Sequence, residues 1–372
     1  MTKILLQYGT RPEVIKLAPV IMELRARSVD CVVVNSEQHT DLSRKVEQDF
    51  GFEADHYLGI MTESQSSTGV LSKALSRLDA LFPHQEFDWV IVQGDTTTAL
   101  AGALWGFHRR VKVAHVEAGL RTSSIESPFP EEMNRRVISL VTSLHFAPTD
   151  GAADNLKQSG VNPDSIIVTG NTIVDALETM RRRVGSNDIT LADESSTENR
   201  IAVITVHRRE NQGRVLVEIC EGIRNAIHDS SGWTFVWPVH PNPNVSVVIR
   251  KYMAGVDAVV LSGPLEYSEM ISLLCRSSLI VTDSGGLQEE AAALGRRVLI
   301  LRDSTERPEI IKCGLGVLVG TSRNAIAREF AAELRVASRT SWAGRNPFGD
   351  GRAAARIVSA LCGKRIAADA VS

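Results

Sequence analysis

Short runs of aliphatic and β-branched residues alternate along the chain with helix-length segments that are apolar on one face. Residues 4–7, 31–34, 89–92, 111–116 and 166–169 form a first set of strand-like runs. Residues 201–206, 234–237, 258–261, 279–281 and 298–301 form a second. The runs are apolar on both faces, as strands of a parallel sheet covered by helices must be. Between the last two, Leu287, Ala291 and Leu294 mark one helix face that Gly295 can end. The pattern predicts an α/β protein with βα units repeated in two doubly wound halves. The join falls near residues 170–185, where the polar stretch "ITLADESSTEN" (189–199) precedes a fresh strand. The expected domains are 1–170 and 171–350, with a C-terminal helix over 351–372. Two such domains leave a cleft that the C-terminal ends of their strands should face.

A length of 372 residues agrees with two domains. The net charge of -3 gives no reason to expect nucleic acid or an anionic membrane as a partner. No stretch approaches the roughly 20 apolar residues of a membrane span, and the N-terminal apolar run meets Gly, Arg and Pro too soon for a signal peptide. The five cysteines are scattered without a CxxC pair, which fits a reducing cytoplasm and argues against structural zinc.

The chemistry-bearing residues collect at strand ends. "YGTRPEVIK" places Gly9, Arg11 and Lys16 where phosphate could be held, without the GxGxxG of a dinucleotide fold. A helix started by Pro12 with solvated charges explains the same residues. "VQGDTTT" brings Asp95 to a strand end, where an N-cap is the simpler role. Glu117 follows a buried run, a costly place for a carboxylate that is neither paired nor used. "PFPEEMNRR" holds Glu131 and Glu132 one turn before Arg135 and Arg136, a spacing that helix ion pairs also explain. His207 ends a strand beside Arg208 and Arg209, a setting suited to phosphate. His240, among three prolines, reads as part of a rigid loop. "TDSGGLQEE" joins Ser284, Gly285 and Gly286 to a helix whose first turn is expected to hold Glu289 and Glu290. Bare N–H groups at a helix start make an anion site, whereas carboxylates there would repel a phosphate. A nucleotide diphosphate resolves the conflict if its ribose hydroxyls meet a glutamate and Arg307 balances the charge.

Ten segments in order carry a resemblance: "GTRPEVIKLAPV", "GDTTTALA", "HVEAGLRT", "PFPEEMNRR", "GNTIVDAL", "HRREN", "PVHPNPNV", "TDSGGLQEE", "RDSTERPE" and "NPFGDGRAA". On these the chain resembles the bacterial non-hydrolysing UDP-N-acetylglucosamine 2-epimerases. The resemblance implies a GT-B fold whose last helix returns to the first domain, and a cytoplasmic enzyme, usually dimeric, that needs no cofactor or metal. It implies interconversion of UDP-GlcNAc and UDP-ManNAc by loss and re-addition of UDP through 2-acetamidoglucal. By the same resemblance Asp95, Glu117 and Glu131 are catalytic carboxylates, and His207 serves the diphosphate and the leaving oxygen. Arg11, Lys16, Arg135, Ser284, Gly285, Gly286, Glu290 and Arg307 bind the UDP-sugar.

The family often carries a QHR-type motif that helps bind a second UDP-GlcNAc as activator. Here "SEQHTDL" has Thr40 and Asp41 where Arg and a larger polar residue are usual. Gln38, His39, Lys73, Arg208 and His240 are what would remain of that site. Activation is therefore expected to be weakened or lost, which a sigmoidal rate curve would contradict. The departure also leaves room for a related substrate, such as a UDP-linked diacetamido uronic acid. A hydrolysing epimerase would share most of these residues. A GT-B glycosyltransferase or a nucleotide-sugar sensor would share the fold.

Overall fold

The structure is a computed structural model, and it describes residues 2–38, 40–62, 65–84, 86–184, 200–228, 230–337, 342 and 344–363. The chain divides into two compact units. One comprises Met1–Met180 with Phe348–Ser372, the other Arg181–Pro347. The polar stretch 189–199 lies outside the described residues, as does 364–372.

The first unit holds seven strands: β1 (Lys3–Tyr8), β2 (Asp30–Asn35), β3 (His56–Tyr57), β4 (Trp89–Gln93), β5 (Lys112–Val116), β6 (Leu144–Ala147) and β7 (Ile166–Val168). Their order is β3-β2-β1-β4-β5-β6-β7, and every pairing is parallel. The second unit holds β8 (Arg200–Thr205), β9 (Trp233–Pro238), β10 (Val259–Ser262), β11 (Ser277–Thr282), β12 (Arg297–Ile300) and β13 (Gly316–Leu318), in the order β10-β9-β8-β11-β12-β13, again all parallel. Both sheets are doubly wound. In each the strand order reverses beside the first strand, between β1 and β4 and between β8 and β11. Crevices that take ligands open at such points, beyond the strands' C-terminal ends.

The central strands are buried on both faces: Ile4, Leu5, Leu6, Val90, Ile91 and Val92 have no exposed surface, nor do Ile204, Leu279, Ile280 and Val281. The sequence pattern does not reveal β3, β6 and β13. β3 is only the pair His56–Tyr57, β6 carries His145 and β13 opens on Gly316, so none presents an unbroken apolar run.

The helix Ala353–Leu361 belongs to the first unit. Asp175 accepts the backbone N–H groups of Ala353 and Ala354 at its start, at 3.2 and 2.9 Å. The Arg27 guanidinium donates to Ser359 Oγ and to the Ala355 carbonyl.

Candidate functional site

At the first unit's switch point β1 runs into Gly9. A Cβ there would lie 2.0 Å from Ser36 Oγ and 2.7 Å from Thr98 Oγ1, so only glycine lets three strand exits meet. Thr10 caps the helix Arg11–Ala26, which does open on Arg11-Pro12. Glu13 reaches back to accept from Gly9 N, Thr10 N and Thr10 Oγ1 at 2.7–3.1 Å, and from Thr96 Oγ1 at 2.6 Å. Burial pushes the Glu13 carboxyl up to about 7 against these donors. Lys16, one turn along, is 6% exposed and forms an ion pair with Glu117 Oε1.

Glu117 leaves β5 with φ +64. A left-handed glutamate costs roughly 1–2 kcal/mol, and such strain gathers at functional sites. Its carboxylate also accepts Gln93 Nε2 from the end of β4, and Asn171 Nδ2 at 3.1 Å. Three donors, one of them charged, make the buried ionised form tolerable.

Asp95 does not cap the next helix. Thr96 does: its backbone is extended and its hydroxyl accepts from Ala99 N at 3.0 Å. Asp95 stands one residue too early for that bond, and its carboxylate instead meets the Arg135 guanidinium. Its side chain is 25% exposed. Burial raises the Asp95 pKa; Arg135 opposes this, and the charges of Glu117 and Glu131 add to it.

The two glutamates of "PFPEE" part company. Glu132 is fully buried and structural, accepting from Thr122 N and Arg136 Nε and pairing with Arg135 Nη1 at 3.3 Å. Glu131 opens the helix Glu131–Val141, and its Oε2 is buried without a hydrogen-bond partner. Asp95, Glu117 and Glu131 therefore form one electrostatic group, as the causes of the Asp95 shift show.

His115 lies under this group, with Nε2 2.7 Å from the Gly94 carbonyl. Burial holds its pKa down at about 3. The unfolded value is about 6.5, so between those pH values the folded state binds fewer protons than the unfolded chain. Stability is present above pH 6.5 and lost as pH falls through the window, by about 1.4 kcal/mol per unit. Glu13, raised to about 7, acts in the opposite direction over the same window, so the His115 share is read by difference: in thermal melts the wild type should lose stability relative to His115→Gln as pH falls from 7 to 5.

The second switch point is organised by Asp283, which follows β11 and is fully buried. It accepts from His207 N at 3.0 Å, Arg208 N at 2.9 Å and Asn211 Nδ2 at 2.9 Å, and lies 3.1 Å from His207 Nδ1. Burial alone would raise its pKa; the His207 ring and the other donors outweigh it and hold the pKa below the ordinary carboxylate value. The ring of His207 is thus fixed through Nδ1, with Nε2 left for a ligand and 42% of the side chain exposed. His240 stacks on it, centroids 6.2 Å apart, so it belongs with His207 and not only to a rigid loop. Arg208 Nη1 donates to Glu210 at 3.2 Å.

Ser284 precedes the helix Gly285–Ala293. A Cβ on Gly285 would lie 2.4 Å from Arg307 Nη1, while around Gly286 the space is open. Glycine here lets a guanidinium lie against the turn and a ligand approach the backbone. Because the helix starts at Gly285, Glu289 and Glu290 fall in its second turn, not its first. The expected repulsion is further relieved because Glu289 Oε1 accepts from Arg307 Nε at 2.5 Å. Glu290 is buried on the same helix. The Glu306 side chain is 6% exposed; hydrogen bonds from Arg302 outweigh its desolvation and hold it near 2.

Arg11 is half-buried at its helix start. Gln38 Oε1 accepts from Thr98 Oγ1 at 2.9 Å beside Gly9, whereas Lys73, on the helix Ser67–Leu81, donates to Thr62. His39 lies outside the described residues. Sequence reasoning missed Glu13, Gln93, Thr96, Asn171, Asn211 and Asp283. The Thr10-x-x-Glu13 spacing is a legible capping box; nothing in the sequence signals the others' partners. Among the described residues no cluster of His, Cys, Asp and Glu could hold a metal ion, and no helix is long and apolar enough to cross a membrane.

Residues 22–362 match the family model described as UDP-N-acetylglucosamine 2-epimerase. The UDP-N-acetylglucosamine 2-epimerase of Bacillus subtilis strain 168 is 41% identical over 363 residues, covering 96% of this chain and 94% of that protein. The crystal structure of the Neisseria meningitidis UDP-GlcNAc 2-epimerase bound to UDP-GlcNAc matches with a TM-score of 0.90 at 37% identity, over 98% of this chain and 100% of that one. The Methanocaldococcus jannaschii UDP-GlcNAc 2-epimerase in complex with UDP-GlcNAc and UDP matches with a TM-score of 0.84 at 32% identity, over 97% and 100%. The two Rossmann-like units are of the GT-B class, and with sequence and fold in agreement over nearly the whole length, the chain belongs to the UDP-N-acetylglucosamine 2-epimerase family.

Proposed function

We propose that the chain is a non-hydrolysing 2-epimerase that interconverts UDP-GlcNAc and UDP-ManNAc. The observation that carries this reading is the trio Asp95, Glu117 and Glu131 at one switch point, each in a different setting: Asp95 on Arg135, Glu117 on Lys16, and Glu131 with a buried Oε2 that has no hydrogen-bond partner. Solved relatives hold UDP-GlcNAc and UDP, which supports the substrate class.

In this reading the second unit takes the UDP, through Ser284, Gly285, Gly286, Arg307 and His207, with Glu290 on the ribose. The first unit supplies the carboxylates, with Arg11 and Arg135 as binding cations. A carboxylate removes the C2 proton. The C–H electron pair becomes the C1=C2 bond of 2-acetamidoglucal, and UDP leaves C1 with the C–O pair. UDP then re-adds at C1 while a proton reaches the opposite face of C2. Atoms and electrons balance without an oxidant. Two groups must trade protons. Asp95, whose pKa is raised, and Glu131, whose Oε2 has no partner, suit that exchange. Glu117, ionised beside Lys16, supplies the fixed charge that keeps Asp95 proton-hungry. His207, fixed by Asp283, donates from Nε2 to the leaving diphosphate oxygen.

The test is product identity. UDP-GlcNAc should yield UDP-ManNAc with no loss of total UDP-sugar. Free ManNAc with UDP would move the enzyme to the hydrolysing class. No conversion would point to another UDP-sugar or to a transferase. We further infer a cytoplasmic homodimer: all five cysteines are free. Leu140 is 83% and Phe107 56% exposed, on the helices Glu131–Val141 and Thr97–His108, which pack together. A second copy would cover that apolar surface, and sedimentation at the single-chain mass of 40.5 kDa would exclude it.

A further inference from the structure

Glu13 is 1% exposed, and a carboxylate so placed must be used. Three of its four donors, Gly9 N, Thr10 N and Thr10 Oγ1, come from its own helix start and converge on Oε2. A capping box needs no more than this. The fourth, Thr96 Oγ1 at 2.6 Å, comes from the exit of β4, across the switch point, and binds Oε1.

Thr96 directly follows Asp95, and its hydroxyl is used in both directions. It accepts from Ala99 N at 3.0 Å and donates to Glu13. The backbone of Asp95 is therefore held on both sides. Gly94 precedes it with φ +68, the doubly bonded Thr96 follows it, and its own carbonyl accepts Asn134 Nδ2 at 2.8 Å. A carboxylate that trades a proton with carbon needs this precision, because a displacement of about 1 Å can cost roughly 100-fold.

We propose that Glu13 is a positioning residue for the epimerase reaction: through Thr96 it fixes the backbone that presents Asp95 and fastens it to the turn that carries Arg11. The proposal rests on the reading of Asp95 as a proton carrier. Glu13 touches no reacting atom in it.

Two variants cut the link from opposite ends. Thr96→Val cannot donate to Glu13, but it also loses the cap. Glu13→Ala removes the acceptor from the other end, and with it the glutamate half of the capping box. Both are tested in the full chain, at a temperature where circular dichroism shows them folded. Each is expected to lower kcat about 10- to 100-fold with KM for UDP-GlcNAc and Kd for UDP within about twofold. The double variant should lose no more than either single one, because both remove one interaction. Thr96→Ser should restore kcat. A merely structural role would lower Tm and leave kcat alone, and that result overturns the proposal. So would single losses that multiply in the double variant. A wild-type chain unable to convert UDP-GlcNAc would overturn the functional reading first and the proposal with it. An active wild type with an unimpaired Thr96→Val would overturn the proposal alone.

Discussion

Asp95→Asn is expected to lower kcat for epimerisation by about 10²- to 10⁴-fold, the usual worth of a positioned acid or base. The substitution keeps shape and an oxygen that can still accept from Arg135, so the pocket should stay in place. What disappears is the exchangeable proton. The stability effect should run the other way. Burial raises the Asp95 pKa in the fold, so the ionised side chain is less favourable there than in the unfolded chain. That penalty is absent below the unfolded pKa and complete above the folded one. Asparagine removes it, so Tm near neutral pH should hold or rise while activity collapses, the trade expected of a functional group. Thermal melts beside initial rates check both halves. Activity within about tenfold of wild type would remove Asp95 from the proton-carrying pair.

The second large effect concerns Lys16 and Glu117, whose side chains are 7% and 6% exposed. Lys16→Met takes the charged partner from a buried carboxylate and leaves it the neutral donors Gln93 and Asn171. Breaking such a pair from one side costs about 3–5 kcal/mol. The double variant Lys16→Met with Glu117→Gln removes both charges together, and much of that loss should return. Activity should not return, because the fixed charge beside Asp95 is then gone. Denaturant unfolding of the wild type, the single and the double variant measures the first; rates measure the second. A single variant as stable as wild type would mean that the ion pair is not kept in solution.

Much of the architecture was legible. A parallel sheet buried on both faces writes long aliphatic runs, and β1, β4, β8 and β11 were plain for that reason. The strands β3, β6 and β13 were not: β3 is a pair of residues, β6 is interrupted by His145 and β13 opens on glycine. The ends of the central strands were also legible as the places where glycine, acid and base stand together. Pairings were a different matter. Lys16 and Glu117 are 101 residues apart; Lys16 reads locally as a solvated helix charge, and the cost of burying Glu117 asks for a partner without naming one. His207 and Asp283 are 76 apart, and nothing beside Asp283 in "TDSGG" marks it as the partner of a histidine. Asp95 read as a cap because Asp is a good one; only the backbone shows that Thr96 holds that position. Glu289 looked like a charge in a helix's first turn because the helix start could not be placed closer than a few residues, and one turn decided whether it opposed a phosphate or neutralised an arginine.

The claim at the centre of this account is that the carboxylates at the first switch point exchange the proton on C2. Incubating the protein with UDP-GlcNAc in D2O and following the sugar signals by proton NMR tests it directly. The account predicts UDP-ManNAc carrying deuterium at C2, with deuterium entering the remaining UDP-GlcNAc as the reaction reverses. UDP-ManNAc that retains its original C2 proton would contradict it, because inversion would then have occurred without the proton ever leaving carbon for solvent.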